Sequence, residues 1–120
     1  AEVVPKLADS YKLGLISNGS SNIQKLRISK FFKCSVFARE VGHEKPAPEI
    51  FRAAAEVAGC AIGEILHVGD GQHTDVLGAS NVGIEMVWIN RANAELLPGI
   101  PRPDHEIHDL REIFKIAEIE

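Results

Sequence analysis

Ile65-Leu66-His67-Val68-Gly69-Asp70-Gly71-Gln72-His73-Thr74-Asp75 is the stretch that decides the fold of this chain. An apolar run stops at Gly69, and two acids, Asp70 and Asp75, follow on the loop. A parallel strand is buried on both faces and reads as such a run, and open α/β sheets bind ligands beyond the carboxyl ends of their strands. Two carboxylates at that place suit Mg²⁺, a hard cation that takes one or two of them and fills its shell with water and substrate phosphate.

Outward from this strand, helices and strands alternate. Towards the amino terminus, Pro48 is placed as the first residue of a helix through Ile50, Phe51, Ala54, Ala55 and Ala58 that Gly59 ends. A loop, 40–48, precedes it, and Ser35 to Ala38 reads as a short strand. Ile23, Leu26 and Phe31 have helical spacing behind a cap at Ser20 or Ser21. Lys12 to Ser17 is a strand running into the polar turn Asn18-Gly19-Ser20-Ser21, and Glu2 to Tyr11 a short helix. Towards the carboxyl terminus, Thr74 or Asp75 opens a helix that stops near Gly83, and Glu85 to Ile89 is a strand. The Pro- and Gly-containing stretch Arg91 to Asp104 is an extended loop, followed by a strand near Glu106 to His108 and an amphipathic helix from Leu110 to Ile119. The alternation predicts an α/β fold: a parallel, Rossmann-like sheet with helices on both faces and right-handed connections.

With 120 residues, 45% hydrophobic and 25% charged, the chain has the size and composition of one ordinary globular domain at most. Its net charge of −4 and the lack of a basic stripe argue against a nucleic-acid partner. No apolar stretch is long enough to cross a bilayer, and no signal-peptide pattern is visible, so no membrane association is expected. Cys34 and Cys60 sit in unrelated contexts and read as free buried thiols, which makes the cytoplasm the expected location.

The predicted topology gathers complementary groups along one edge of the sheet. The Ser17 hydroxyl and the backbone N–H groups of Asn18 and Gly19 suit phosphate oxygens. Lys45, in Gly42-His43-Glu44-Lys45-Pro46, supplies a point charge to a phosphoryl group, and Asp70 and Asp75 hold a metal. Each has a plainer reading: Ser17 as a hydroxyl bonded to its own turn, Lys45 as a solvated lysine, Asp75 as a helix N-cap. Asp70, between two glycines at a strand end, has less structural reason to be there. His43, His67 and His73 share no metal-ligand spacing, and His67 reads as a satisfied core residue. Gly69-Asp70-Gly71 also resembles the start of a dinucleotide fingerprint, but Thr74 stands at the third glycine and Asn90, not an acid, ends the next strand.

Three segments together resemble the haloacid dehalogenase superfamily of hydrolases. They are Leu15-Ile16-Ser17-Asn18-Gly19, Gly42 through Lys45-Pro46-Ala47-Pro48-Glu49-Ile50-Phe51, and His67-Val68-Gly69-Asp70 through Asp75-Val76-Leu77-Gly78-Ala79. They are similar to that superfamily's second, third and fourth motifs, in order. The resemblance implies a Mg²⁺-dependent phosphatase acting on a small phosphorylated metabolite through an aspartyl-phosphate, with dehalogenases and phosphomutases as other members. By motif, it implies that Ser17 binds the phosphoryl group, Lys45 steadies the negative charge around it, and Asp70 and Asp75 hold or orient Mg²⁺. Lys45 and Asp70 are therefore the expected catalytic residues within this stretch, and Ser17, Asn18, Gly19 and Lys45 the expected phosphate ligands.

The superfamily's first motif, Asp-x-Asp after an apolar strand, occurs nowhere in this sequence, and neither does the cap that often follows it. Residues 1–120 thus read as a partial core domain that starts just before the second motif and lacks the central nucleophile strand. In the superfamily's sheet that strand lies between those ending at Ser17 and Gly69, and its absence leaves two inner edges exposed. Three outcomes are open: a longer polypeptide, a strand from another molecule, or direct pairing of the two edges, the first being favoured. On this reading the 120 residues alone do not catalyse aspartyl-based hydrolysis. The alternatives are a non-catalytic phosphate- or Mg²⁺-binding module of the same fold, or a dehalogenase-type member.

Overall fold

The computed structural model describes residues 3–18 and 32–116. Gly19 and the helix expected around Ile23, Leu26 and Phe31 lie outside the described residues. Two parallel sheets form. In the first, β1 (Leu13–Ser17) lies beside β2 (Phe32–Phe37), with Leu15 opposite Ser35 and Ser17 opposite Phe37. In the second, β4 (Glu85–Ile89) is central, flanked by β3 (Leu66–Gly69) and β5 (His105–Ile107). Val68 stands opposite Val87, and Trp88 opposite Glu106.

The architecture is the expected α/β fold, with the sheet in two parts. Among the described residues β1 and β3 do not pair with each other. Direct closure of the gap, one of the three outcomes open from sequence, is therefore not the arrangement adopted.

β4 shows why the sheet has helices on both faces. Its side chains alternate: Met86 and Trp88 join one apolar cluster, while Val87 and Ile89 join the other. The first cluster is built on α3 (Pro48–Ala58), whose Ile50 and Phe51 are fully buried, with Val36, Val76, Ala79 and Ile84 around them. Because Val36 belongs to the first sheet and Met86 to the second, α3 packs across both. The second cluster joins Val3 of α1 (Val3–Ser10) to Val87, Ile107 and Ile113. Each large apolar side chain so buried contributes about 1.5–3 kcal/mol.

Several boundaries differ from the sequence reading. β2 starts at Phe32, and residues expected to finish it and open a loop coil into a short helix, α2 (Ala38–Val41), closed by Gly42. α3 begins with Pro48 and is closed by Gly59, as its sequence predicts. The helix after β3 opens earlier than Thr74 or Asp75: Gln72–Leu77 forms a π-helical turn that runs into α4 (Gly78–Val82). The Gly71 carbonyl accepts from both Asp75 N and Val76 N at 3.0 Å, which widens this turn. α4 sits close on α3 because Gly78 has no side chain; a Cβ there would stand 2.6 Å from Phe51 Cε2. At the carboxyl end a single 3₁₀ turn, Leu110–Glu112, leads into α5 (Ile113–Ile116). Its cap is reciprocal: Asp109 accepts from Arg111 N, and Glu112 accepts from the backbone of His108 and Asp109.

Candidate active site

The carboxyl ends of β1 and β3 are joined by a chain of hydrogen bonds running through the Lys45 loop. Asn18, just beyond β1, grips that loop from its side chain: Oδ1 accepts from Lys45 N at 2.8 Å, and Nδ2 donates to Lys45 O at 3.3 Å. The Lys45–Pro46 peptide is cis. The lysine ammonium then reaches Asp75 Oδ1 at 2.9 Å in an ion pair whose side chains are 14% and 6% exposed. His67, on β3, meets the same oxygen through Nε2 at 2.9 Å. A carboxylate only accepts, so His67 carries its proton on Nε2. The other oxygen, Oδ2, accepts from Gly71 N at 3.0 Å and from the Thr74 hydroxyl at 3.4 Å.

Asp75 is thus a buried hub with four donors on two oxygens. The π-helical turn aims it backwards, onto the strand end from which the loop departs. Glycine at positions 69 and 71 makes room: a Cβ on Gly69 would stand 2.6 Å from Asp75 Oδ2, and one on Gly71 would strike Thr74. Burial by itself raises the Asp75 pKa. Hydrogen bonds and charge from His67 and Lys45 outweigh it and hold the carboxyl well below the usual carboxylate range.

Asp70 is placed differently. It is exposed at the end of β3, and its carbonyl accepts from Trp88 Nε1 at 3.1 Å. Beside it lies a cleft of about 270 Å³ lined by Asp70, Gln72, Trp88, Asn90 and Arg91. Gln72 braces the facing loop, donating to Glu95 O and accepting from Leu97 N. Asn90, buried at the end of β4, closes the start of that loop through Ala94 and also donates to Glu106. A larger hollow, about 430 Å³, lies at the amino end of β4 among Ser80, Glu85, Arg102 and Asp104, and none of the expected site residues lines it.

The structure therefore brings Asn18, Lys45 and Asp75 together and sets Asp70 on the same strand end, while Ser17 closes β1 half-buried. One role changes. Asp75 is not a helix N-cap but sits inside the turn, its side chain reaching back to the Gly71 N–H. Both its oxygens accept from protein donors. Among the described residues no group of three or more His, Cys, Asp or Glu converges as a metal cage. Asp70 is the exposed carboxylate that fits Mg²⁺, which needs only one or two and dehydrates reluctantly. Cys34 and Cys60 are free, as expected, but half-buried rather than buried.

Three contributors escaped the sequence reading: the Asn18 side chain, the Gln72 brace and His67. His67 had a signal. Alternate residues share a strand face, so His67 lies on the face of Gly69, against which Asp75 packs.

The family model for haloacid dehalogenase-like hydrolases matches residues 2–83. The chain belongs to this family. Pyrimidine 5'-nucleotidase YjjG of Escherichia coli (strain K12) is 35% identical over 111 residues, covering 88% of this chain and 49% of the relative. Among solved structures, a HAD phosphatase from Thermococcus onnurineus superposes with a TM-score of 0.86 at 35% identity, covering 99% of this chain and 56% of its own. A 2-haloacid dehalogenase from Pseudomonas syringae pv. Tomato DC3000 superposes with a TM-score of 0.91 at 28% identity, covering 98% and 50%. The chain spans about half the length of the curated relatives it matches, between 40% and 55%. The haloacid dehalogenase-like motifs quoted from the sequence thus fall at the strand ends where the hub forms. No helix among the described residues is long and apolar enough to cross a membrane.

Proposed function

We propose that this chain is the carboxyl-terminal part of the core domain of a cytoplasmic, Mg²⁺-dependent phosphatase that acts on a small phosphorylated metabolite. The observation that carries the reading is the Lys45–Asp75 pair, tied to β1 by Asn18, at the end of β3 after which the exposed Asp70 follows. In this reading the Ser17 hydroxyl and the backbone N–H groups of Asn18 and Gly19 bind phosphoryl oxygens. Lys45, anchored by Asp75, presents its charge to the same group. Asp70 holds Mg²⁺, and Asp75 acts on that site indirectly, through Lys45. When bound, the ion neutralises charge on the phosphoryl group and orients it.

The nucleophilic aspartate belongs to a strand outside these residues. Three facts support that part of the proposal: Asp-x-Asp is missing from the sequence, the sheet is in two parts, and the matched relatives are about twice as long. The partners are a small substrate and the segment that completes the sheet, with no nucleic acid and no membrane.

The test uses the full-length protein with a panel of phosphomonoesters, with and without Mg²⁺. Metal-dependent turnover is expected, with Asp70→Asn needing far more Mg²⁺ for the same rate, while the 120-residue chain alone stays at background. Turnover indifferent to chelation, an unchanged Mg²⁺ requirement in Asp70→Asn, or robust activity of the isolated chain would each refute it. The superposition on a 2-haloacid dehalogenase favours a second reading, metal-free dehalogenation. Release of halide from a 2-haloacid in the presence of chelator would establish it.

A further inference from the structure

We propose that His67 is a positioning residue of this site: its Nε2–H holds Asp75 Oδ1 so that the carboxylate fixes the Lys45 ammonium at the carboxyl ends of β1 and β3. The proposal rests on the phosphatase reading for its kinetic consequence but not for its geometry.

His67 and Lys45 approach one oxygen from different parts of the chain, each at 2.9 Å. A carboxylate with its ammonium as sole partner can swing about its terminal bond. Here the second oxygen is tied to Gly71 and Thr74, and the first is shared with His67, so the plane of the carboxylate is set. The imidazole is itself held. Its side chain is 11% exposed, it extends from β3, and the Phe51 ring meets it edge to face at 5.2 Å and 88°. Phe51 is fully buried on α3, the helix that packs across both sheets. A continuous path of contacts therefore runs from the core through Phe51, His67 and Asp75 to the Lys45 ammonium. His67 has no part in binding the phosphoryl group in the reading above. A purely apolar strand residue would fill the space against Phe51 but would leave Oδ1 with one donor.

The test compares His67→Phe, which keeps the ring and loses the donor, with His67→Gln, whose amide nitrogen restores a donor at similar reach. In the full-length protein His67→Phe is expected to lower kcat by about tenfold to a hundredfold, the usual effect of letting a catalytic group drift. His67→Gln should stay within about threefold of the wild type, and both should melt cooperatively. Equal losses in the two variants would make His67 a packing residue, and wild-type kcat in His67→Phe would remove any role; either overturns the proposal. Long-range ¹H–¹⁵N spectra of the same protein supply a readout independent of turnover. Nε2 of His67 should be protonated in the wild type and should change its resonance in Asp75→Asn. An unprotonated Nε2 refutes the proposal. A wild type that hydrolyses no phosphomonoester refutes the functional reading instead, and the spectra still decide the geometry.

Discussion

At the scale of single residues, Asp75 concentrates the electrostatics of the site. It is 4% exposed and accepts from Lys45, His67, Gly71 and Thr74. Removing one partner of a buried pair is far costlier than the net worth of the pair, because it strands the other charge. Asp75→Asn should therefore destabilise the fold by about 3 kcal/mol at neutral pH, as read by urea denaturation. The pH dependence has a definite sign. Folding lowers this pKa below its ordinary 3.8, so the carboxylate's contribution is present in full above that value and fades as the pH falls through the lower native one. The gap in stability between wild type and Asp75→Asn should accordingly narrow on acidification below about 4. A gap that widens there would contradict the account.

At the scale of elements, the site depends on how three loops meet. The π-helical turn after β3 carries Asp75 back over the strand end, the loop before α3 carries Lys45, and the turn after β1 carries Asn18. The last two are joined only through the Asn18 side chain and the Lys45 backbone among the hydrogen bonds described. Asn18→Ala removes both bonds at an exposed position, so stability should fall by only about 1 kcal/mol. Catalysis should suffer more: kcat of the full-length protein is expected to drop by about tenfold, because the lysine loop loses its tether to the end of β1. A variant that loses stability and activity in the same small proportion would show that the tether is structural alone.

At the scale of the whole molecule, β1 and β3 each pair on one side only among the described residues, and α3 holds the two sheets in one core. A strand edge without a partner leaves backbone N–H groups to water. Hydrogen exchange in the isolated chain should thus be faster in β1 and β3 than in the central β4, and the full-length protein should slow the first two selectively. Equal protection of all three strands in the isolated chain would refute the open-edge description. Much of this architecture was readable beforehand, because its signals are local. The apolar run ending at Gly69, the Pro48 start and Gly59 end of α3, and the alternation of strand and helix patterns each follow from a few neighbouring residues. Residue chemistry likewise marked Lys45, Asp70 and Asp75 before any geometry was known. What stayed hidden depended on contacts between distant residues. The division of the sheet, the grip of Asn18 on the lysine loop, and the convergence of His67 and Lys45 on one oxygen of Asp75 all involve groups 8 to 30 positions apart in sequence. The sequence by itself determined the α/β pattern and the polar groups at its strand ends. Only the tertiary structure decided that four donors converge on Asp75 while Asp70 stays exposed, since the number of donors reaching an oxygen is set by packing.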